Sequence, residues 1–599
     1  MRVNRDALLA ECSGNSNRPA TKLLTRGDDA MIDRFYRPQI VAAVLCALVA
    51  AACDDDDPTG NDGLGTPSNV TATVQGPTSI ALSWNTVSGA SGYVVERAEG
   101  ESGGSFTEIA TPTSTSHTDD DLTPNTTYRY RVAASASGGR LSNFSSEASA
   151  ITEEEQELGA ATISDDITSD RTLFADTVYT LDGFVKVANG ATLTIEAGTT
   201  ILGSFERLGS SLFVLRGAQI RAMGTAENPI VFTSERPEGE RQPGDWGGLI
   251  ILGNGVLNRD GDVVLEGTEN FGAADGGPIV YSGGTDNADS SGELHYVRVE
   301  FAGFATAENA ELNSFTFAAV GSGTQMDHLQ SLAGLDDSYE FFGGAVDVKY
   351  LVSYESGDDH FDMSEGFQGR LQYLIAYQSK VLQPRPSAGA VSGDPQGIEN
   401  DGCAGDGCTA GELSEPFNLP FVANFTLVGT GPGVVDGTSG GNGMVLRRGT
   451  GGFYVNGVAT RWPVSAISLR NSEGSEATED RVDANDLILR NVLSVDNGTL
   501  FEAGEGRFTV DAEANAIESG DGEAASLFVA LPADPSASGD FDWNAAEGSA
   551  AATGGLSAFD GVIADKAGTF VLPTEFRGAA PLTGDDVNWW VGWTNYADN

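Results

Sequence analysis

Six acidic residues occur in two short groups that repeat after 22 residues. The first group is Asp336, Asp337 and Glu340, and the second is Asp358, Asp359 and Asp362. If each 22-residue segment forms one coil of a repeating structure, the second group lies over the first at a spacing of about 5 Å. Carboxylates at that spacing repel one another by roughly 1 kcal/mol or more per pair, so a compensating positive charge is expected.

Calcium is the cation that best suits such a cluster, because it takes about six to eight hard oxygen ligands in a flexible arrangement. The predicted metal ligands are these six acids together with Glu399 and Asp401 from the next coil. Two other interpretations stay open. The carboxylates form an ordinary solvated acidic face, or they are neutralised by Lys380, which follows Asp358 by a further 22 residues.

The same residues could also serve catalysis. Glycoside hydrolysis uses two carboxyl groups, one of them held protonated, and Asp358, Asp359 and Asp362 supply the residue types. His360 is either a general base or a surface residue between acids, and elimination from an acidic sugar would need calcium with a base such as Lys349. The chain has four histidines and no nucleophile motif, phosphate loop or zinc pair, so the sequence leaves open whether it is an enzyme.

Charge and composition limit the classes of function. The chain has 86 Asp and Glu against 33 Lys and Arg, a formal charge of −53, which would repel nucleic acid. Apolar residues make up 40% of the chain, which excludes a disordered protein. The 77 glycines and the scarcity of helical patterns indicate many short strands joined by tight turns. We therefore expect an all-β protein whose ligand is not a nucleic acid.

Strand-like segments repeat with the same period as the acids. Asp327–Leu332, Lys349–Tyr354 and Leu371–Ala376 align at steps of 22 residues. A period of about 22 residues is typical of one coil of a parallel β-helix, in which side chains stack from coil to coil. We predict this fold for residues 161–599, with an insertion near 383–415.

Two further sets of residues have predicted positions on such a helix. Asn424, Asn456 and Asn491 are expected to form a turn ladder with amides bonded from coil to coil. The aromatic residues are Trp246, Tyr339, Phe341 and Phe342 beside glycine-rich turns and Trp589, Trp590 and Trp593 in the tail. Exposed rings would stack on sugars, whereas buried rings in the tail would cover the end of the solenoid, which is the expected role of the tail.

The N-terminal segment predicts export. Residues 31–52 combine a basic start with a short apolar run, as in a signal peptide. The run ends in Ala50-Ala51-Ala52-Cys53, which resembles the lipobox of bacterial lipoproteins and implies cleavage before Cys53 and lipidation of its sulfur. Residues 1–30 are expected to be untranslated or unstructured, and 53–65 form an acidic tether. The predicted location is the outer membrane or cell surface.

A separate module precedes the long domain. Strand patterns around Trp84 and a segment ending in Tyr128 and Tyr130 resemble the tyrosine corner of fibronectin type III domains, which implies such a domain at 66–152. Residues 153–160 form an acidic linker. Beyond the linker, Cys403 and Cys408 are close enough in sequence to form a small local disulfide in an exported protein.

The long domain resembles a family of large secreted or lipid-anchored proteins of Gram-negative bacteria. The resemblance lies in Thr192–Thr199, Pro243–Gly248, Glu340–Gly344, Gly397–Asp401 and the terminal Trp590–Thr594. It implies a right-handed, pectate-lyase-like parallel β-helix and no established reaction. We expect a surface lipoprotein that binds carbohydrate or another cell-surface ligand. A polysaccharide lyase or glycoside hydrolase, and a structural or assembly protein, are the alternatives.

Overall fold

The computed structural model describes most of the chain. The described residues are 64–136, 139–154, 158–307, 310–392, 395–435, 441–472, 475–502, 507–508, 517–520, 522–584 and 586–596. The predicted signal segment, Cys53 and the tether up to residue 63 lie outside them. The chain divides into two compact units, Met1–Glu153 and Glu154–Asn599. Among the described residues, no helix is both long enough and apolar enough to cross a membrane.

The first unit contains two antiparallel sheets. One sheet has the strands Thr71–Val74, Ile80–Ser83 and Ser116–Asp119, and the other has Gly92–Glu99, Thr107–Ala110, Thr127–Ala136, Arg140–Leu141 and Ala148–Ile151. Trp84 is buried in the core, with its ring 5.3 Å from the ring of Tyr93. The backbone N–H of Thr123 donates to the Tyr128 hydroxyl at 2.9 Å. This is the predicted tyrosine corner of a fibronectin type III domain.

The second unit is a parallel β-helix with one sheet of 17 strands. Its strands are Gly159–Ile163, Arg171–Leu173, Thr177–Leu181, Thr192–Ile195, Thr200–Gly203, Gln219–Met223, Ile230–Ser234, Gly292–Glu300, Gln325–Leu332, Asp347–Tyr354, Arg370–Tyr377, Phe421–Val428, Gly452–Val455, Val458–Thr460, Leu487–Arg490, Val492–Val495 and Ile517–Gly520. All of its pairings are parallel, for example Asp347–Tyr354 between its two neighbours. Parallel strands need a covered face, and here their apolar side chains fill the interior of the coil.

A second sheet of nine strands closes the other side of the coil. Its strands are Phe184–Val187, Ser211–Val214, Gly248–Leu252, Phe315–Ala318, Tyr339–Phe342, Phe361–Ser364, Gln396–Asp401, Asn442–Arg447 and Ser465–Arg470. Its inward rings form a stack, with centroid distances of 5.1 Å from Phe315 to Tyr339 and 5.3 Å from Tyr339 to Phe361. Trp246 and Phe341 are also buried in the core, so neither presents a face to a sugar.

Four small elements complete the sheet structure and six short helical segments complete the described chain. The strands are Ala305–Ala307, Ala310–Glu311, Phe528–Ala530 and Asp542–Ala545. The α-helices are Ala477–Asp483 and Gly561–Ala567, and the 3-10 helices are Ala273–Asp275, Gly411–Leu413, Ala524–Ser526 and Ser538–Asp540. The segment 383–415, expected as an insertion, contains the strand Gln396–Asp401 with a loop on each side of it.

The predicted register is confirmed for one coil and wrong by one residue for the next. Leu329 pairs with Leu351, a step of 22 residues. Leu371 pairs with Val348 rather than with the expected Lys349. The turn between Ser364 and Arg370 contains one residue more than the turn between Phe342 and Asp347, which is its equivalent in the preceding coil. Such a slip matters because moving a strand by one residue exchanges its inner and outer faces.

A column of left-handed residues runs along one corner of the helix. Tyr296, His328, Tyr350 and Tyr373 have positive φ values of 50°, 53°, 62° and 68°. Their rings stack from coil to coil, with centroid distances of 4.2 Å, 4.4 Å and 5.0 Å. The repeated backbone conformation puts each ring over the one before, so the column holds successive coils in register.

The predicted asparagine ladder continues this corner, but its hydrogen bonds differ from the prediction. Asn424, Asn456 and Asn491 have positive φ values of 53°, 59° and 55°. Asn424 and Asn456 both donate to the Thr574 hydroxyl, at 2.8 Å and 3.0 Å. Asn491 donates to the Gly554 carbonyl at 2.6 Å. One amide bond does run from coil to coil, because Gln372 Nε2 on the neighbouring strand donates to Asn424 Oδ1 at 3.1 Å. The amide N–H groups of the three asparagines bind the C-terminal segment.

The tail covers a flank of the helix instead of its end. Trp590 and Trp593 are buried, as predicted. The Trp593 ring meets the left-handed column edge-on, with its centroid 5.6 Å from that of His328 and 5.7 Å from that of Tyr296. Further along, Asp586 accepts hydrogen bonds from the hydroxyls of Tyr350 and Tyr373. We call residues 551–596 the C-terminal strap.

Asp327 beside this column makes folding stability depend on pH. Its oxygens lie 2.8 Å from His295 Nδ1 and 2.7 Å from His328 Nδ1. Burial alone would raise the pKa of Asp327, but the hydrogen bonds of His295 and His328 lower it to about 2. The same contact raises the pKa of His295 above 6.5. The lowered carboxyl pKa adds stability above pH 3.8 that is lost as the pH falls toward 2.

We predict that Asp327→Asn lowers the free energy of unfolding most between pH 4 and 6.5, where the carboxylate and a protonated His295 coexist. The expected loss is about 1 kcal/mol after allowance for solvent screening, because the carboxylate is 35% exposed. Urea unfolding of both proteins from pH 2 to 8 measures it. Asp565→Asn, at an exposed site, should show no such window. Equal losses at pH 2 and pH 5 would contradict the prediction.

Candidate cation-binding pocket

Three neighbouring strands of the nine-stranded sheet place acidic side chains in one row. In the ladder, Glu340 pairs with Asp362, and Asp362 pairs with Glu399. Strand side chains alternate in direction, and the neighbours Phe341 and Met363 are fully buried in the core. The acidic members of the pairs therefore point outward from the same face, one coil above another.

The turns that precede these strands bring in the remaining predicted acids. The N–H of Asp359 donates to Asp337 Oδ1 at 2.8 Å, and the N–H of Gln396 donates to Asp359 Oδ1 at 2.6 Å. Each carboxylate thus binds the backbone of the following coil, which aligns the turns and fixes the side chains. Asp336, Asp337 and Asp358 offer oxygens that lie within 4.8 Å of one another.

All eight predicted metal ligands line a single open cavity of about 960 Å³. Its carboxylates are Glu266, Glu311, Asp336, Asp337, Glu340, Asp358, Asp359, Asp362, Glu365, Glu399 and Asp401. Its cations are Arg259, Arg447 and Arg448. We call this cavity the acidic pocket. Among the described residues, eleven carboxylates against three guanidinium groups leave a large excess of negative charge.

Three overlapping groups of carboxylates have the spacing that a cation needs. They are Asp336 with Asp337 and Asp358, Asp337 with Glu340 and Asp362, and Asp359 with Asp362 and Glu399. In each group the candidate ligand atoms lie within 4.8 Å of one another. Hard carboxylate oxygens at such spacing suit calcium better than softer metals. Asp401 lies outside all three groups.

Arginines neutralise part of the pocket, whereas Lys380 does not line it. Arg447 donates to Asp401 Oδ1 at 2.7 Å and also contacts Glu399, and Arg448 pairs with Asp401. Lys380 instead acts on Glu355 beside a separate cavity. The sequence alternative in which Lys380 compensates the acidic column is therefore wrong. The loop after Tyr377 breaks the 22-residue count and carries Lys380 away from the column.

Burial raises the pKa values of the central acids. The pKa rises for Asp336, Asp337, Glu340, Asp359 and Asp362, through burial first and then through repulsion by neighbouring carboxylates. The same causes raise the pKa of Glu266 to about 8 and that of Glu399 to about 8. Ionising the whole cluster without a counter-ion is thus unfavourable, so its charge must be met by protons or by cations.

A buried carboxylate oxygen in the pocket lacks a hydrogen-bond partner among the described residues. It is Asp362 Oδ1. Asp362 belongs to two of the three carboxylate groups. A buried anionic oxygen without a donor is costly, and it is the kind of atom that a bound cation would satisfy.

His360 does not belong to the acidic pocket. It is fully buried, its Nδ1 lies 2.6 Å from the Ser353 hydroxyl, and its ring faces the edge of Trp462. Burial lowers its pKa to about 3, which makes it a poor base in a place that substrate cannot reach. Both sequence interpretations, general base and surface residue, are wrong, because the corner before Phe361 turns this side chain inward.

A disulfide loop forms part of the pocket rim. Cys403 and Cys408 are joined, and Cys403 lines the cavity. The Asp406 carbonyl in this loop accepts hydrogen bonds from Arg259 Nε at 2.8 Å and Nη2 at 2.6 Å. Arg259 in turn pairs with Glu365. The disulfide loop therefore positions the guanidinium group of Arg259 at this wall of the pocket.

Five pocket residues escaped sequence reasoning: Glu266, Glu311, Arg259, Arg447 and Arg448. Glu266 and Arg259 lie in the long connection between the strands Gly248–Leu252 and Gly292–Glu300, which has no repeat pattern. Arg447 pairs with Asp401 across a step of 46 residues. A search for that longer period could have found the arginine pair.

Two family models match this chain, one for each of its two domains. The family model described as a pectate-lyase-like beta helix domain matches residues 165–533, more than half of the chain. The chain belongs to the pectate-lyase-like β-helix family. A second model, the fibronectin type III domain, matches residues 65–151. A pectate-lyase-like β-helix together with a fibronectin type III domain indicates a surface or carbohydrate-related protein.

Three similar proteins each match a short part of this β-helix family member. The protein in the crystal structure of FN3tt is 22% identical in sequence to this chain. The match covers 15% of this chain and 96% of the FN3tt chain, with a TM-score of 0.14. An Fn3-like protein from Clostridium thermocellum is 36% identical, with coverages of 14% and 86% and a TM-score of 0.13. An alpha-amylase of Niallia circulans is 39% identical over 89 residues. The match spans 6% of that relative's length.

Proposed function

We propose that this protein is exported, anchored by a lipid on Cys53, and binds calcium in the acidic pocket in order to hold a carbohydrate or another cell-surface ligand. The observation that carries the proposal is the convergence of buried carboxylates on Asp362, whose Oδ1 receives no hydrogen bond from the part of the chain that the structure describes. The fibronectin type III domain would act as a spacer between the anchor and the β-helix.

Calcium fits the pocket in chemistry and in strength. Its ligands would be the carboxylates of the three groups, and water would complete the shell on the open side. Arg447 and Arg448 already pair with Asp401, so that residue would stay outside the shell. Sites of extracellular modules commonly have dissociation constants of about 10⁻⁴ to 10⁻³ M, which an exported protein would meet with calcium from its surroundings.

Calorimetric titration of the full chain with calcium tests the proposal. We expect saturable binding that Asp362→Asn weakens at least about tenfold, because this residue serves two ligand groups. Asp565→Asn makes the same chemical change at an exposed site and should leave binding unchanged. If wild-type protein takes up no calcium at millimolar concentration, the calcium proposal fails.

A glycoside hydrolase remains the second candidate, because the pocket holds carboxyl groups that stay protonated near neutral pH. The pKa of Glu266 and the pKa of Glu399 are both raised to about 8, which suits a general acid. A lyase that uses Arg447 as its base is less well supported, since Asp401 and Glu399 raise the pKa of that arginine despite its burial. A screen of acidic and neutral glycans for binding and for cleavage separates the candidates. Cleavage that Asp359→Ala abolishes would establish the enzyme.

The anchor is tested through Cys53. We predict that Cys53→Ser moves the protein from the membrane fraction to the soluble fraction of the producing bacterium, because it removes the sulfur that would carry the lipid. Cys46→Ser, seven residues earlier, should leave the protein in the membrane fraction. Metabolic labelling with a fatty acid measures the modification directly. Unchanged membrane association of the Cys53 variant would overturn this part of the proposal.

A further inference from the structure

We infer that the acidic pocket binds a row of at least two divalent cations that share carboxylate ligands, rather than a single ion. The inference rests on the proposed calcium binding and adds the number and arrangement of the ions. It follows from how the three carboxylate groups overlap along the coils.

The three groups form a chain. Asp337 belongs to the first and second groups, and Asp362 belongs to the second and third. The outer groups are completed by Asp336 with Asp358 at one end and by Asp359 with Glu399 at the other. Adjacent strands of a sheet are about 4.8 Å apart, so ions centred in neighbouring groups would be close enough to share a bridging carboxylate.

Charge balance favours more than one ion. The three groups contain seven carboxylates, and a single divalent cation would cancel two of those charges. Within the described part of the chain, Arg447 forms an ion pair with Glu399 and also acts electrostatically on Asp362. All seven carboxylates are buried or half-buried, where repulsion between neighbouring negative charges is strong. A first ion would therefore leave an adjacent group that still attracts a second.

The unpartnered oxygen lies on a shared residue. Asp362 Oδ1 is buried and receives no hydrogen bond from any described residue, and Asp362 joins the second and third groups. The other shared residue, Asp337, is held in place by the N–H of Asp359 through its Oδ1. The bridging carboxylate of Asp337 is thus oriented by the fold before any ion binds, which lowers the cost of forming the row.

If neighbouring ions share carboxylate ligands, substitutions of shared and unshared carboxylates should differ in the number of ions that are lost. Asp337→Asn or Asp362→Asn alters two groups at once and should lower the number of bound ions by two. Asp336→Asn or Glu399→Gln alters one end group and should lower it by one. Each change keeps the shape of the side chain and removes a repulsive charge, so the metal-free variants should be at least as stable as the wild type.

Equilibrium dialysis of the full chain against calcium, with metal analysis of the protein, counts the ions. We expect two or three calcium ions per chain, with the same number in Asp565→Asn. One ion per chain would overturn the row while leaving the proposed calcium binding intact, and no ion would overturn both. Equal losses in the shared and end variants would also overturn the inference, because independent sites give that result.

Discussion

Arg447→Ala should destabilise the β-helix by about 3 kcal/mol in calcium-free buffer, because it leaves the buried Glu399 without its ion-pair partner and Asp401 with Arg448 alone. Arg447 binds Asp401 Oδ1 at 2.7 Å and also contacts Glu399. The side chains of both acids are 10% exposed, so water replaces the lost guanidinium less well than it would at the surface. Urea unfolding followed by circular dichroism measures the change.

The matched control is an arginine that forms an ion pair with a glutamate at the solvent-exposed surface. Arg221 lies 3.3 Å from Glu293, and its side chain is 52% exposed. Arg221→Ala should therefore change the free energy of unfolding by less than about 1 kcal/mol. If both substitutions had the same small effect, the acidic pocket would be better hydrated than its burial indicates. Calcium should restore part of the stability lost in the Arg447 variant, because a calcium ion near Glu399 would neutralise the carboxylate that the arginine neutralises in the wild type.

Trp593→Ala should cost about 3–5 kcal/mol and should release the C-terminal strap from the flank of the helix. Trp593 is fully buried, and its Nε1 donates to the Trp589 carbonyl at 2.7 Å. Its own carbonyl accepts from Arg298 at 3.1 Å, and its ring packs edge-on against His328. Removing the indole empties a site that several elements share. Limited proteolysis after residue 550, together with thermal unfolding, measures both effects.

Val591→Ala is the control within the same segment, because Val591 is 57% exposed. It should leave protease resistance and thermal stability almost unchanged. Rapid cleavage of both variants would show that the strap is held elsewhere, for example by Asn424 and Asn456 at Thr574. If the Trp593 variant kept the protease resistance of the wild type, we would likewise conclude that other contacts hold the strap.

The acidic pocket combines a strong negative charge with fixed arginines, and this affects ligand choice. Without a cation, protons must meet the charge of the central acids, because burial raises their pKa values. With calcium, the same face would carry positive centres beside Arg448, which is half-exposed at the wall. Ligand binding that needs calcium would connect the two parts of the proposed function.

Much of the architecture was determined by local sequence. The alternation and tyrosine pattern of the first module predicted a fibronectin type III domain, and the 22-residue period predicted a parallel β-helix. The pairing of Glu340 with Asp362 also followed from that period. These features are local or repeat at a fixed spacing, so one sequence is enough to reveal them.

Only the tertiary structure decided which groups meet across long separations. Arg259 and Glu266 reach the acidic pocket from a connection that has no repeat pattern, whereas Arg447 reaches it from a strand 46 residues after Asp401. Lys380 lines a separate cavity because its loop departs from the 22-residue spacing. His360 turns inward because strand alternation does not hold through a corner. The sequence thus determined the coil and its acidic row, whereas the counter-charges and the flank covered by the strap depended on contacts that only the folded chain creates.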